Sequence, residues 1–212
     1  MKKPALDFGL TLKKLKKKYP DAHCALNFEN PFQLLIATIL SAQCTDERVN
    51  IVTEVLFEKF KTAADLAEAE LPEIEQIIYS AGFYKNKAKN IKNCCLILTK
   101  KHNNEVPQNI CDLVQLPGVG RKTANVVLGN AFGIASGVVV DTHVTRLVNR
   151  FGWVIKLTDA VKIENKLNQI CPSKDWVMLS HYLIGHGRAV CKARNPACQD
   201  CFLMKDCPGR ET

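Results

Sequence analysis

The stretch Leu116-Pro117-Gly118-Val119-Gly120-Arg121-Lys122-Thr123-Ala124 governs the reading of everything around it. A proline and two glycines interrupt an apolar pattern and leave Leu116 and Val119 as anchors of a tight turn between two short helices, the form of a helix-hairpin-helix. At Gly118 and Gly120 no Cβ stands between the backbone and a phosphate. The N–H groups that open the second helix point outward at its positive pole, so the turn is an anion site indifferent to base sequence. A Gly-x-Gly turn alone is often a plain connection. With Arg121, Lys122 and Thr123 on the first turn beyond it, the whole string reads as a grip on the DNA backbone.

On either side the chain reads as helix after helix. Asn30 and Pro31 cap and start a run through Phe32, Leu35, Ile36, Ile39 and Leu40, Thr45 opens another with Val49, Val52, Val55, Leu56 and Phe60, and Thr62 with Asp65 makes a capping box. Pro72 starts a short helix that Gly82 closes, and further helices are expected over 86–101, 109–116, 122–132, 142–151, 158–170 and 175–190. Only Gly137–Val140 resembles a strand, and it is too short for a sheet. The expected fold class is therefore all-α, about ten helices joined by short loops. A boundary is expected at Gly133–Gly137, with the first helix packing on the C-terminal half.

Composition fits a folded domain, with 212 residues, 47% hydrophobic and 24% charged. The uncharged run from Asn30 to Thr45 falls short of the roughly 20 apolar residues of a membrane span, so no membrane partner is expected. Residues 1–20 show no apolar core of a secretion signal. The net charge of +8 is uneven: Met1–Asp21 holds seven Lys against two Asp, Lys85–Lys101 holds six Lys and no acid, and Asp65–Glu75 is acidic. Such polarity suits a protein that turns one face to a polyanion, although a Lys run is commonly just the solvated side of a helix.

Ten cysteines without a secretion signal argue for a reducing compartment. Cys24, Cys44, Cys94, Cys95, Cys111 and Cys171 are scattered or sit in apolar runs and read as small buried hydrophobes. Cys191, Cys198, Cys201 and Cys207 are different. Their C-x6-C-x2-C-x5-C spacing gathers four thiolates in a segment with no core of its own, which points to a structural metal centre. Zinc and a [4Fe-4S] cluster both accept four cysteines, and spacing leaves the choice open. Lys192 and Arg194 project from the first loop of this array toward a possible phosphate.

Lys122 on the first turn after the hairpin is either one more phosphate ligand or an amine for attack on carbon. Asp141, delivered by the apolar run Val138-Val139-Val140 to Thr142-His143, is either a helix N-cap or a catalytic carboxylate. An amine and a carboxylate serving one sugar would suit cleavage of a glycosidic bond, the carboxylate steadying an oxocarbenium-like centre while the amine takes C1′.

Leu40-Ser41-Ala42-Gln43, Thr45-Asp46, Leu116–Val127, Val140-Asp141-Thr142-His143 and the cysteine array together resemble the endonuclease III family of the helix-hairpin-helix DNA glycosylase superfamily, almost end to end. The resemblance implies a two-domain fold: a six-helix barrel domain over residues 22–134, and a second domain of residues 1–21 with 135–212, ending in an iron-sulfur loop. It places double-stranded DNA in the cleft between them. It also implies excision of oxidised pyrimidines, with the base displaced by Lys122 and the abasic site cut by β-elimination through a Schiff base, and it gives Asp141 the role of the assisting carboxylate. Relatives that remove adenine lack the lysine, which favours the bifunctional activity here.

For the metal, the resemblance assigns [4Fe-4S] to Cys191, Cys198, Cys201 and Cys207. DNA contacts fall on Gln43, which fills the hole left by the flipped nucleotide, on Phe83 as the wedge, on Leu116, Gly118, Val119, Gly120, Arg121 and Thr123 of the hairpin, and on Lys192 and Arg194. Phe83 departs from the Leu usual at the wedge, and Cys44 from the Ala usual after the Gln. A monomer in the prokaryotic cytoplasm, associated with the nucleoid, completes the expectation.

Overall fold

The computed structural model describes residues 3–210. Among these, eleven α-helices account for the regular structure with three short 3-10 turns, and no strand forms. In chain order the helices are α1 (Phe8–Lys18), α2 (Pro31–Leu40), α3 (Asp46–Lys59), α4 (Ala63–Glu68), α5 (Leu71–Ile78), α6 (Tyr84–Lys101), α7 (Ile110–Leu113), α8 (Arg121–Phe132), α9 (Thr142–Arg150), α10 (Ala160–Ile170) and α11 (Trp176–Ala189). The all-α expectation holds.

The chain divides into two compact units, one of Cys24–Ser136 and one joining the segment up to His23 with the segment from Gly137 onward. In the first, α2 is the central rod. Asn30 caps it by accepting from Gln33 N, Pro31 occupies its first turn, and every residue from Leu34 to Leu40 is buried. It packs against α8, α3 and α6, while α4 and α5 close over α6. The capping box of Thr62 and Asp65 forms as read, each side chain accepting from the other's backbone N–H.

In the second unit α11 is sandwiched between α1 and α9. Leu12 and Leu15 of α1 enter a core with Val144, Leu147, Val148, Phe151, Leu179 and Leu183. The lysines of α1 then fall on its outer side, apart from Lys16, whose Nζ reaches the Asp175 carboxylate at 2.6 Å.

Several boundaries differ from the sequence reading. The helix expected over 109–116 is a single turn, Ile110–Leu113, because Pro117 removes an N–H and keeps its predecessor out of helical conformation; the chain continues in reverse turns through Leu116. α6 begins two residues early, at Tyr84, since Phe83 turns into it with φ of 49°. Asp159 caps α10, accepting from Lys162 N, where Thr158 was expected to open the helix. Gly137–Val140 is extended without a partner strand: Val138 N donates to Asn168 Oδ1 and Val139 O accepts from Ser180 Oγ, so helix side chains replace the sheet ladder. Among the scattered cysteines, Cys94, Cys95 and Cys171 are buried and Cys24 and Cys44 half-buried, but Cys111 is exposed, facing out from the one-turn α7.

Candidate functional site

The hairpin closes by Val119 N donating to Leu116 O, and Ala124 N to Gly120 O starts α8. Leu116 and Val119 are buried, so their side chains anchor the turn and only their backbone is available to a ligand. Gly118 has φ of 79°, and a Cβ there would lie 3.1 Å from Asn90 Cβ of α6 and 3.2 Å from Ile39 Cγ2 of α2. Close packing and a left-handed conformation both demand glycine. Gly120 is the opposite case: a Cβ would meet nothing within 4 Å, and the residue caps α8 with no side-chain hydrogen bond. No side chain therefore caps the first N–H groups of α8, and Arg121 and Lys122 are exposed on the same turn with Thr123 half-buried.

Gln43 and Phe83 are exposed and, like Asn103 and Asn104 of the same unit, have a left-handed backbone. Gln43 follows the end of α2 with φ of 54°, and Phe83 precedes α6 with φ of 49°. Phe83 is 63% exposed and lies outside the core. Tyr79, also exposed, stacks beside Tyr84 on this surface with ring centroids 4.8 Å apart. Behind them lies Lys87, 5% exposed, whose Nζ donates to Leu40 O at 2.8 Å and Ala81 O at 2.9 Å. Burial pulls its pKa below the ordinary lysine range, with the nearby Cys44 acting in the other direction. The sequence reading missed Lys87, although its spacing with Ala88, Ile91, Cys94, Cys95 and Leu98 puts it on the buried face of α6.

In the other unit Asp141 is the N-cap of α9, its Oδ1 accepting from Val144 N at 2.8 Å. The cap role is thus realised, and it fixes where the half-buried carboxylate sits. Two turns of α9 then serve the cysteine loop. Arg146 donates to the carbonyls of Cys191 and Gly187, and Arg150 donates to Lys192 O at 2.7 Å and to Cys191 Sγ at 3.3 Å. Lys192 and Arg194 are exposed on the loop so held. These two arginines, absent from the sequence reading, were signalled only by their i, i+4 spacing on one side of α9.

Cys191, Cys198, Cys201 and Cys207 line one pocket with Phe151, His186 and Met204. Four thiols lining one pocket are the donor set that an iron-sulfur cluster takes. Burial pushes the thiols of Cys201 and Cys207 up, a cost that a bound metal would offset by taking the thiolate. Leu203 N donates to Cys201 Sγ at 3.4 Å, and with Arg150 this supplies the N–H···S bonds that thiolate clusters require. His186, wholly buried, has its pKa pulled down to about 4; its Nδ1 meets Tyr19 Oη at 2.8 Å and its Nε2 lies 3.6 Å from Cys201 Sγ. The donor set fits an iron-sulfur cluster.

The model for the HhH-GPD superfamily base excision DNA repair proteins matches residues 36–173, and that for the iron-sulfur binding domain of endonuclease III matches residues 191–207. Endonuclease III of Synechocystis sp. is 53% identical, over 93% of this chain and 90% of that protein. The chain belongs to the endonuclease III family. A non-covalent endonuclease III–DNA complex and a trapped endonuclease III–DNA covalent intermediate each superpose with a TM-score of 0.91 at 46% identity, covering 95% of this chain and 94% of theirs. As an endonuclease III homologue the chain is a base excision DNA repair enzyme, a glycosylase that is also an abasic-site lyase, with a [4Fe-4S] cluster. No helix among the described residues is long and apolar enough to cross a membrane.

Two outcomes follow from this geometry. Gly118→Ala introduces both left-handed strain and the contacts with Asn90 and Ile39, and should lose about 1–3 kcal/mol of stability, read as a lowered melting temperature, together with weaker duplex binding in a fluorescence anisotropy titration. His143 Nδ1 lies 3.1 Å from Arg146 Nη2, and because a guanidinium only donates, the imidazole must accept and be neutral. Its pKa is lowered from 6.5 by burial first, with Arg146 and Arg188 adding to the effect and Asp141 and the Gly187 backbone opposing it. The unfolded chain takes up this proton first, so stability falls as pH drops below 6.5 toward the folded value. In His143→Gln the loss of melting temperature between about pH 7 and about pH 5 should be smaller than in the parent.

Proposed function

We propose that the chain excises oxidised pyrimidines from double-stranded DNA and cuts the abasic site it creates, with Lys122 as nucleophile and Asp141 as the assisting carboxylate. The observation that carries this reading is the exposed Lys122 on the first turn of α8, directly after an open, glycine-built anion site. The trapped intermediate of the similar endonuclease III supports a covalent route.

In this mechanism the backbone N–H groups at Gly118–Thr123 hold a phosphate of the damaged strand, and Lys192 and Arg194 hold others. The lesion leaves the stack, Gln43 fills its place and Phe83 wedges against the opposite base. The Lys122 amine forms a bond to C1′ as the C1′–N bond to the base breaks; the base leaves with the electron pair and takes a proton, while Asp141 steadies the positive charge at the sugar. Opening of the sugar ring gives a Schiff base. Loss of a C2′ proton then expels the 3′ phosphate and breaks the strand, and water releases the lysine from the aldehyde product. Cys191, Cys198, Cys201 and Cys207 hold the cluster, which, when bound, fixes the loop carrying Lys192 and Arg194. We read the enzyme as a monomer acting on DNA in a prokaryotic cytoplasm.

Borohydride reduction on a duplex with one abasic site tests the nucleophile. The parent protein should give a covalent adduct and Lys122→Ala none, while both bind the duplex. An adduct of equal yield in Lys122→Ala moves the amine elsewhere.

A further inference from the structure

Lys87 is a buried cation that the chemistry above does not use. Its ammonium bonds the last carbonyl of α2, Leu40 O, and the last carbonyl of the 3-10 turn Tyr79–Ala81. Helix-terminal carbonyls lack partners within their own helix, and a cation is the favoured group to meet them. Each of these carbonyls stands just before an exposed, left-handed, non-glycine residue: Gln43 comes three residues after Leu40, and Phe83 two residues after Ala81. A positive φ at such residues costs on the order of 1 kcal/mol or more and survives only where the surroundings impose it. An apolar side chain would fill the space behind these loops equally well; what a lysine adds is a simultaneous bond to both. The hairpin uses the same two helices, since Gly118 seats against Ile39, next to Leu40, and Asn90, one turn beyond Lys87.

We propose that Lys87 is a positioning residue for strand insertion, setting the distance between the ends of two loops so that Gln43 and Phe83 enter the duplex together. This rests on the reading that those two residues insert. Lys87 touches no reacting atom. Its contribution is confined to substrates in which a base must be displaced from a stack, and it acts through Gln43 and Phe83.

The test is a mutant cycle on the cluster-loaded enzyme, measuring single-turnover excision of thymine glycol from a duplex and, separately, lyase cleavage of an abasic site in a single-stranded oligonucleotide. Lys87→Met should slow duplex excision about tenfold or more, as misplacement of positioning groups does. Single-strand lyase rates should stay within about twofold of the parent, and adding Lys87→Met to Gln43→Ala/Phe83→Ala should slow excision by less than about twofold further. The fluorescence rise of a 2-aminopurine placed opposite the lesion should shrink in Lys87→Met, whereas a general loss of stability leaves the bound-state signal in place. Equal losses on single strand and duplex, or a Lys87→Met penalty undiminished in the triple variant, overturn the proposal. A Gln43→Ala/Phe83→Ala protein as active as the parent overturns the insertion reading itself, and the proposal with it. If Lys87→Met gives no cooperative melt, Lys87→Gln enters the same cycle with the same expected ratios.

Discussion

An α-helix cannot satisfy its own first N–H groups or its last carbonyls, and in a chain built almost wholly of short helices this constraint recurs every dozen residues. Most starts are met by a side chain one residue upstream: Asp7, Asn30, Thr45, Thr62, Asn109, Asp141 and Asp159 each accept from the first turn of the helix they precede. The starts of α5, α6, α8 and α11 lack such a cap, and α8 is the helix that follows the hairpin. At α8 the cap is Gly120, which brings no side chain, and in the proposed mechanism a phosphate takes the place of one. Asp141 is a cap like the others, to which the proposed mechanism adds a second role. At the close of α2 the orphan carbonyl goes to a lysine that has another helix end in its reach.

The same accounting explains how a loop without a core is held. The segment around Cys191 cannot bury enough apolar surface to order itself, so its carbonyls are taken up by Arg146 and Arg150, whose guanidinium forks span several acceptors at once. The four cysteines would tie the loop to a bound cluster through sulfur, while the two arginines hold it through backbone oxygen and, at Cys191, through sulfur as well. α9 therefore has the Asp141 cap at one end and the anchor of the cysteine loop along the rest.

Much of this was legible in the sequence because caps, glycines and cysteines act locally. Asn30, Thr45 and Thr62 with Asp65 announce their helices within four residues, and Gly118 and Gly120 announce a turn by the side chain they lack. Gly137–Val140 was legible as extended and too short for a sheet, but not what receives its backbone, because a run of valines in the interior looks alike whether a neighbouring strand or the side chains of Asn168 and Ser180 do so. Lys87 was hidden in a block of six lysines, five of them outside the core; the helical period that sets it apart is visible, but its two acceptors lie 47 and six residues away. Tertiary partners at such separations leave no mark on local composition. Arg146 and Arg150 were obscure for the same reason.

α9 also has a consequence for how this chain can drift. Val144, Leu147 and Val148 are fixed by the core, His143 and Arg146 by each other and by the loop, Asn149 by the Leu157 backbone, and Arg150 by Lys192 and Cys191. From His143 to Arg150 only Thr145 has a side chain with no such commitment described. The outer side of α3, where Ile51 and Val55 stand in solvent, carries no comparable burden. Substitutions accumulated over generations should thus collect on the outer side of α3 and leave α9 nearly blank, so that one short helix preserves the lineage's ancestry more faithfully than the other.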